Sequence, residues 1–265
     1  MKVSIFTFDE KTHRYYLDGK PMTGVTTVLG VINKPALINW AANQACDYAS
    51  AQIEACMQET DGKPDLAQLK NILEQARTAH SRKRDTAAEA GTDVHAQIED
   101  IIKTAIQESD GLCLSERDFT GKQDTQVSAF IQWAISNGVR FTASEKRVYS
   151  VTNFTAGTLD FACEIDGLKY IGDIKTTSGI YDRTPFAQTA AYQMMMAEME
   201  GKDAGEIADR RIIVNLKKTG TFDADKDVYV STFYEDDIEL FMSALTMYRN
   251  VGRFAPLSYQ HRLCR

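Results

Sequence analysis

The spacing of apolar residues changes about half-way along the chain, and this change restricts the possible folds more than any other feature. From residue 35 to residue 107, apolar side chains recur every three or four positions, which is typical of amphipathic helices. Further on they alternate with a period of two, which predicts consecutive strands at 146–151, 157–165 and 168–175. Asp166-Gly167 is a tight-turn sequence between the last two strands. The chain therefore combines a helical part with a sheet that contains an antiparallel hairpin.

The remaining segments predict the elements around this sheet. Residues 4–20 have the alternation of a β-hairpin, whose aromatic side chains we expect in the core, and the β-branched segment 25–32 fits either a strand or a helix. Further helices are expected at 36–58, 66–79, 84–107, 125–137, 185–200 and 236–249, a loop at 109–122, and strands at 211–216 and 228–233. The order α-β-β-β-α-β predicts an α/β (α+β) fold, with a central mixed sheet flanked by helices.

Length, composition and charge bound the class of protein. The 265 residues suit one globular unit, in which we expect an N-terminal hairpin and helical cap over 1–80 and a core over 81–265. No long uncharged apolar run suggests a membrane span, and the N-terminus lacks signal-peptide regions, so a cytoplasmic protein is expected. A net charge of −7 argues against a protein that coats nucleic acid, but allows an enzyme that meets DNA in one groove.

Neither cysteine-based cross-links or metal sites nor ATP are expected from the sequence. The five cysteines are scattered and lack a C-x-x-C pair, which argues against a disulfide framework, a zinc ribbon and an iron–sulfur cluster. No G-x-x-x-x-G-K-[ST] phosphate loop occurs, so we expect no use of ATP.

Three charged residues in the two strands of the predicted hairpin can lie side by side. Asp160 ends Gly-Thr-Leu-Asp, and Asp173 and Lys175 lie in Gly-Asp-Ile-Lys on the partner strand. Facing residues of a hairpin are about 4.5–5.5 Å apart, and period-two alternation places Asp173 and Lys175 on one face. Burying these charged groups without partners would cost several kcal/mol. A bound hard divalent cation could offset this cost. The alternative is a simple Asp–Lys ion pair at a strand end.

Five motifs lie between residues 84 and 216: Gly91-Thr92-x-x-His95, Glu145 at the start of a strand, Gly157-Thr-Leu-Asp160, Asp173-Ile174-Lys175-Thr176-Thr177 and Gln188-x-x-x-Tyr192. Together they resemble the PD-(D/E)XK nuclease superfamily, and within it the RecB-type branch. Within that branch, the chain resembles the phage exonuclease-like proteins and the mitochondrial genome maintenance exonuclease group.

The resemblance implies a restriction-endonuclease-like core and a metal-dependent deoxyribonuclease. It implies one or two Mg²⁺ or Mn²⁺ ions, with His95, Asp160, Asp173 and the backbone carbonyl of Ile174 as ligands. Lys175 would orient the attacking water or stabilise charge on the phosphorus. The implied catalytic set is Lys175, Asp173, Asp160, Glu145, Gln188 and Tyr192.

Four residues in or near these motifs are expected to contact DNA. Arg82 and Arg84 precede the histidine motif, and Thr176 and Thr177 follow the lysine. Helices within 35–80 would roof the cleft and admit only strand ends, so we expect an exonuclease acting on single-strand or duplex DNA ends in recombination, repair or replication. The setting would be a bacterial or phage-infected cell, with a recombination or single-strand-binding protein as a further partner.

Three other interpretations remain open. A structure-specific endonuclease of the same fold would use the same residues. A non-catalytic DNA-binding module on a decayed nuclease fold would not need all of them. A zinc hydrolase using His95 and Glu99 is disfavoured, because the sequence has no H-E-x-x-H motif.

Overall fold

A computed structural model describes residues 5–32, 34–108 and 125–253 of the chain. The chain divides into two compact units, one of Met1–Ile32 with Val94–Arg265, and one of Asn33–Asp93. The N-terminal hairpin therefore belongs to the unit that contains the sheet, whereas the sequence grouped it with the helices over 1–80. The division into 1–80 and 81–265 stays a prediction. The loop expected at 109–122 lies outside the described residues.

The strands of the described residues form two sheets, both in the first unit. The smaller sheet is the expected hairpin with a short third strand. The larger is a mixed sheet in which antiparallel and parallel pairs occur side by side. The strands are β1 (Phe6–Asp9), β2 (Arg14–Leu17), β3 (Lys20–Pro21), β4 (Thr23–Gly24), β5 (Arg140–Ser150), β6 (Thr155–Ile165), β7 (Leu168–Lys175), β8 (Arg210–Asn215) and β9 (Val228–Ser231).

The helices of the described residues occur in both units. They are α1 (Val25–Leu29), α2 (Pro35–Glu59), α3 (Leu66–Ala76), α4 (Ala79–Glu108), α5 (Thr125–Ser136), α6 (Thr184–Glu200), α7 (Ala204–Ile207), α8 (Ala224–Asp227) and α9 (Tyr234–Arg253). One apolar cluster joins strands to α4 and α5 through residues such as Ile98 and Phe130. A second joins strands to α1, α6 and α9, with Met195 and Phe241 fully buried. The chain is thus a mixed α/β protein of the α+β kind, as expected.

The observed elements differ from the expected ones mainly at their ends. The segment left open between strand and helix contains the short strand β4 and then α1. Strand β5 begins at Arg140, six residues before the expected start, because a bulge between Phe141 and Ala143 breaks the simple alternation there. Helix α4 begins at Ala79 rather than at residue 84. Within the described ranges, no helix is both long and apolar enough to cross a membrane.

The second unit consists of α2, α3 and the first half of α4. Helix α2 has a proline in its first turn, where a missing N–H costs nothing. Helix α3 begins with a capping box, in which Asp65 and Gln68 each accept a hydrogen bond from the other's backbone N–H. These local signals explain why the sequence places both helix starts well.

Gly172 provides a direct test of the packing between β6 and β7. It pairs with Phe161, and a Cβ atom at this position would lie 2.1 Å from two ring carbons of that fully buried phenylalanine. We expect Gly172→Ala to lower the free energy of unfolding by about 1–3 kcal/mol, since an overpacked core must shift. Thermal unfolding measures the effect.

The matched control is Gly205→Ala in α7, where an added Cβ would meet no atom within 4 Å. This variant should melt at or above the native Tm, since alanine is the better helix former. Equal Tm values for the two variants would contradict the assigned contact between Gly172 and Phe161.

Candidate active site

Backbone pairing along one edge of β6 is interrupted for four residues. Strand β5 pairs with β6 over nearly its whole length and so occupies the other edge. On the interrupted edge, β4 pairs with Thr155 and Ala156, and β7 pairs only from Phe161 onward. The segment Gly157–Asp160 therefore lies between two strand ends. A pocket of about 580 Å³ opens there, lined by residues of the first unit alone.

Asp160 replaces the missing backbone pairing with its side chain. Its Oδ2 atom accepts a hydrogen bond of 2.7 Å from the backbone N–H of Ile174 in β7. This bond holds the Asp160 carboxylate against β7, one residue beyond Asp173. Both residues line the pocket.

Asp173 and Lys175 form an ion pair within β7. The Lys175 Nζ atom lies 2.6 Å from Asp173 Oδ2, and their side chains are 26% and 1% exposed. The amide of Gln188 joins both: Nε2 donates to Asp173 Oδ1 at 2.8 Å, and Oε1 accepts from Lys175 Nζ at 3.3 Å. Period-two alternation thus brings these charges to one side of the strand, as expected.

Tyr192 lies one helical turn beyond Gln188 and accepts a hydrogen bond of 3.1 Å from the same amide nitrogen. Its ring packs against Gly157, where an added Cβ would lie only 2.4 Å from ring atom Cε1. The glycine of Gly-Thr-Leu-Asp is therefore needed for close approach of the tyrosine. The spacing Gln-x-x-x-Tyr follows because residues i and i+4 share a helix face.

His95 reaches the pocket from α4. Its Nδ1 atom is 3.5 Å from Asp160 Oδ2, and about a third of its side chain is exposed. Burial lowers the pKa of His95, and the nearby Asp173 carboxylate offsets this only in part. The imidazole is therefore neutral near pH 7, the form that can bind a metal. Glu99, one turn further, forms an ion pair with Lys103.

Glu145 lies on β5 opposite Asp160, with a left-handed backbone conformation at φ +47°. This conformation is uncommon outside glycine, and such strain is frequent at functional sites. Burial raises the pKa of Glu145 to about 7, helped by the negative charges of Asp160 and Glu99. Glu145 thus lines the same pocket as His95, Asp160, Asp173, Lys175, Gln188 and Tyr192.

The pocket holds more carboxyl groups than nearby cations can balance. Burial raises the pKa of Asp173 to about 6 and also raises that of Asp160, although Lys175 opposes both shifts. Burial alone would lower the pKa of Lys175, but the two aspartates outweigh it and the net shift is upward. Lys175 is therefore charged at neutral pH, and further positive charge would stabilise the site.

The side chains present suit a hard divalent cation by chemical type. Carboxylate and carbonyl oxygens with one imidazole are ligands that Mg²⁺ and Mn²⁺ accept. Asp173 Oδ2 is buried and accepts no hydrogen bond of ordinary geometry, despite the ion pair with Lys175. Across the part of the chain that the structure describes, no three His, Cys, Asp or Glu side chains already form a metal-binding cluster. The metal stays a prediction.

The four residues expected to contact DNA do not line this pocket. Thr177 follows β7, and its backbone N–H and its hydroxyl both donate to Asn215 Oδ1, at 3.2 and 3.1 Å. Thr176, beside it, is half-buried. Arg82 and Arg84 belong to the second unit, Asn33–Asp93.

Both arginines already have partners within that unit. The Arg82 guanidinium donates to Thr78 and to the Gln75 carbonyl, and Arg84 forms an ion pair with Asp85 at 2.8 Å. DNA contact by the threonines and the arginines remains a prediction.

One side of the pocket is formed by residues that were not predicted from the sequence as site residues. Phe8, Glu10, His13 and Tyr15 of the N-terminal hairpin line it, together with Arg147 of β5. The aromatic side chains of the hairpin were expected in the core. Phe6 does pack against a buried apolar cluster, whereas Phe8 is half-buried and lines the pocket. Arg147 could have been found, since it follows Glu145 by two positions on one strand. The position of the hairpin could not, because nothing in its own sequence identifies its partner strands.

Comparison with known proteins adds no family assignment. A scan against protein-family models gives no match, and a search of curated proteins finds no significantly similar sequence. The chain is thus defined by its mixed α+β fold and by a pocket of buried carboxylates around one lysine.

The raised pKa of Glu145 predicts a pH dependence of stability. The unfolded carboxyl ionises near its ordinary value of 4.5, but the folded protein holds that proton to about pH 7. Between these values the folded state binds more protons, so the free energy of unfolding falls as pH rises. In EDTA at pH 8, Glu145→Gln should therefore raise the Tm by ~2–4 °C. This corresponds to a gain of ~1 kcal/mol in the free energy of unfolding, a value reduced because solvent screens the partly exposed carboxyl group.

Thermal unfolding of both proteins at pH 5 and pH 8 measures the effect, and the difference should nearly vanish at pH 5. Glu164→Gln is the matched control, because this carboxylate lies on β6, outside the pocket, and pairs with Arg140. A Tm gain at pH 8 in the control but not in Glu145→Gln would refute the assignment.

Proposed function

We propose that the chain is a metal-dependent deoxyribonuclease of the PD-(D/E)XK superfamily, RecB-type branch. One observation carries the proposal: Asp160, Asp173 and Lys175, on two strands of one hairpin, converge in a single pocket. An ordinary ion pair at a strand end needs no pocket, no second aspartate and no glutamine amide that holds both partners. The interrupted edge of β6 gives these groups access to a substrate.

The order of elements around the pocket also supports a restriction-endonuclease-like core. Helix α5 is followed by β5, β6 and β7, then by α6 and β8, with the short α7 between the last two. Strand β7 pairs antiparallel with β6 and parallel with β8. Asp173 and Lys175 thus lie on a strand that stays paired with β8 up to Lys175, while the edge that faces β6 is open.

His95, Asp160, Asp173 and the carbonyl of Ile174 would hold Mg²⁺ or Mn²⁺. When bound, the metal would polarise the phosphate and lower the pKa of a water molecule. Lys175 is charged, partly exposed and fixed by Asp173 and Gln188, so its ammonium can orient that water or stabilise charge on the phosphate. Gln188 orients Asp173, Tyr192 holds the Gln188 amide, and both line the pocket, where they would contact the phosphate and support the active-site strand.

The first test of this function is replacement of Lys175. We expect Lys175→Ala to lower kcat for DNA cleavage with Mg²⁺ or Mn²⁺ by about 100-fold or more, because preorganised charge at the phosphate is lost. Lys146→Ala is the matched control: Lys146 lies on β5, forms an ion pair with Glu200 at 3.1 Å and does not line the pocket. Its kcat should stay within about two-fold of native.

Metal dependence is checked in the same assay. Cleavage should stop in EDTA and return when Mg²⁺ or Mn²⁺ is restored, and Asp173→Asn should lose both activity and the Tm increase that Mn²⁺ gives the native protein. Full activity in chelator, or native kcat in Lys175→Ala, would leave only the ion-pair interpretation.

We further propose that the enzyme is an exonuclease acting on DNA ends in recombination, repair or replication. The support is the helical unit Asn33–Asp93, which exceeds what the core needs and carries Arg82 and Arg84. A linear single strand should be degraded, while a covalently closed circle of the same sequence should survive at least about ten times longer. Equal cleavage of both substrates would instead favour a structure-specific endonuclease.

A further inference from the structure

The N-terminal hairpin forms one wall of the candidate active site. Four of its residues line the pocket, namely Phe8, Glu10, His13 and Tyr15. The hairpin is fixed in place by contacts with the larger sheet: the hydroxyls of Tyr15 and Thr158 hydrogen-bond at 2.9 Å, and the rings of Phe6 and Tyr149 stack at 4.4 Å. Because Thr158 belongs to the segment of β6 that neither β4 nor β7 pairs with, the hairpin is anchored close to Asp160.

Arg147 is the cation that meets this wall. Its guanidinium carbon lies 4.5 Å from the centre of the Phe8 ring, and one terminal nitrogen is 3.1 Å from Glu10 Oε1. The aromatic ring holds the guanidinium by a cation–π contact, while the carboxylate occupies its hydrogen-bonding edge. The Arg147 side chain is 45% exposed and that of Glu10 is 79% exposed, so this ion pair is open to solvent.

Three cations line the pocket among the described residues, and their partners differ. Lys175 pairs with the buried Asp173, and Lys103 pairs with Glu99 on its own helix. Within the described part of the chain, the ion pair of Arg147 is with the exposed Glu10, and exposed pairs of this kind contribute little to stability. An incoming anion can therefore displace Glu10 at small cost. The planar guanidinium matches a phosphate especially well.

We propose that Arg147, held by Phe8, binds a second phosphate of the substrate strand, next to the one that is cleaved, and that Glu10 occupies this position until the strand arrives. The pocket volume of about 580 Å³ lies in the range of small-molecule sites and exceeds what one phosphate requires. Phe8, His13 and Tyr15 then face the sugar and base of that nucleotide. This inference rests on the proposed function for the identity of the substrate as a nucleic-acid strand.

The experiment measures binding without cleavage. A fluorescein-labelled oligothymidylate is titrated with protein in EDTA, and fluorescence anisotropy gives Kd. Arg147→Ala should weaken binding by about ten-fold or more, the expected loss of a charge-assisted contact. It should also flatten the dependence of log Kd on log salt by about 0.7, the value for one single-strand phosphate.

Glu10→Gln gives the opposite sign and replaces an exposed side chain, so the fold is preserved. It should bind the oligonucleotide about two- to five-fold more tightly, because the internal competitor for Arg147 is removed. Lys146→Ala and Glu200→Gln are the matched controls, since they break the ion pair between Lys146 of β5 and Glu200 of α6, outside the pocket. Both controls should leave Kd unchanged.

The outcomes separate this inference from the proposed function. If the native protein cleaves DNA but Arg147→Ala and Glu10→Gln leave Kd and KM unchanged, the second phosphate site is refuted and the nuclease stands. If both variants shift Kd as expected but no metal supports cleavage, the phosphate site stands and the nuclease fails. Weaker binding in Glu10→Gln would mean that the ion pair only supports the hairpin, and it too would refute the inference.

Discussion

The hydrogen bond from the backbone N–H of Ile174 to Asp160 is the interaction on which the candidate site depends. At this point the backbone pairing between β6 and β7 has ended, yet both strands must stay together for the two aspartates to face one another. A carboxylate that accepts a backbone N–H satisfies that donor and fixes its own direction at the same time. The strand edge can therefore open to a substrate without an unpaired amide beneath it.

Close packing extends this constraint from the strand to the helix. Tyr192 can reach the amide of Gln188 only because residue 157 has no side chain, and Gln188 in turn sets the orientation of Asp173. Each of these contacts is short and largely buried, so a shift in one is transmitted to the carboxylate. The pKa values of Asp173 and Glu145, both raised by burial, show the electrostatic cost of gathering acidic groups there.

The sequence predicts the site best where the interacting residues are close in the chain. Asp160, Asp173 and Lys175 lie on one hairpin with a recognisable turn, so alternation alone brings them together, and Gln188 and Tyr192 follow from helical spacing. The left-handed backbone at Glu145 has no such signal, because neither a glycine nor an asparagine marks it. The contact of Tyr15 with Thr158 spans 143 residues and depends on tertiary packing, which local patterns do not encode.

The sharing of one edge of β6 between β4 and β7 has a consequence for folding during synthesis. Residues 23 and 24 leave the ribosome long before their partners, Thr155 and Ala156, which emerge more than 130 residues later. At about 5–20 residues per second, the N-terminal segment waits for at least several seconds without the strand that it completes. A nascent chain that stalls before β6 would thus carry β4 without its partner strand, and the ring of Phe6 without the Tyr149 ring on which it stacks.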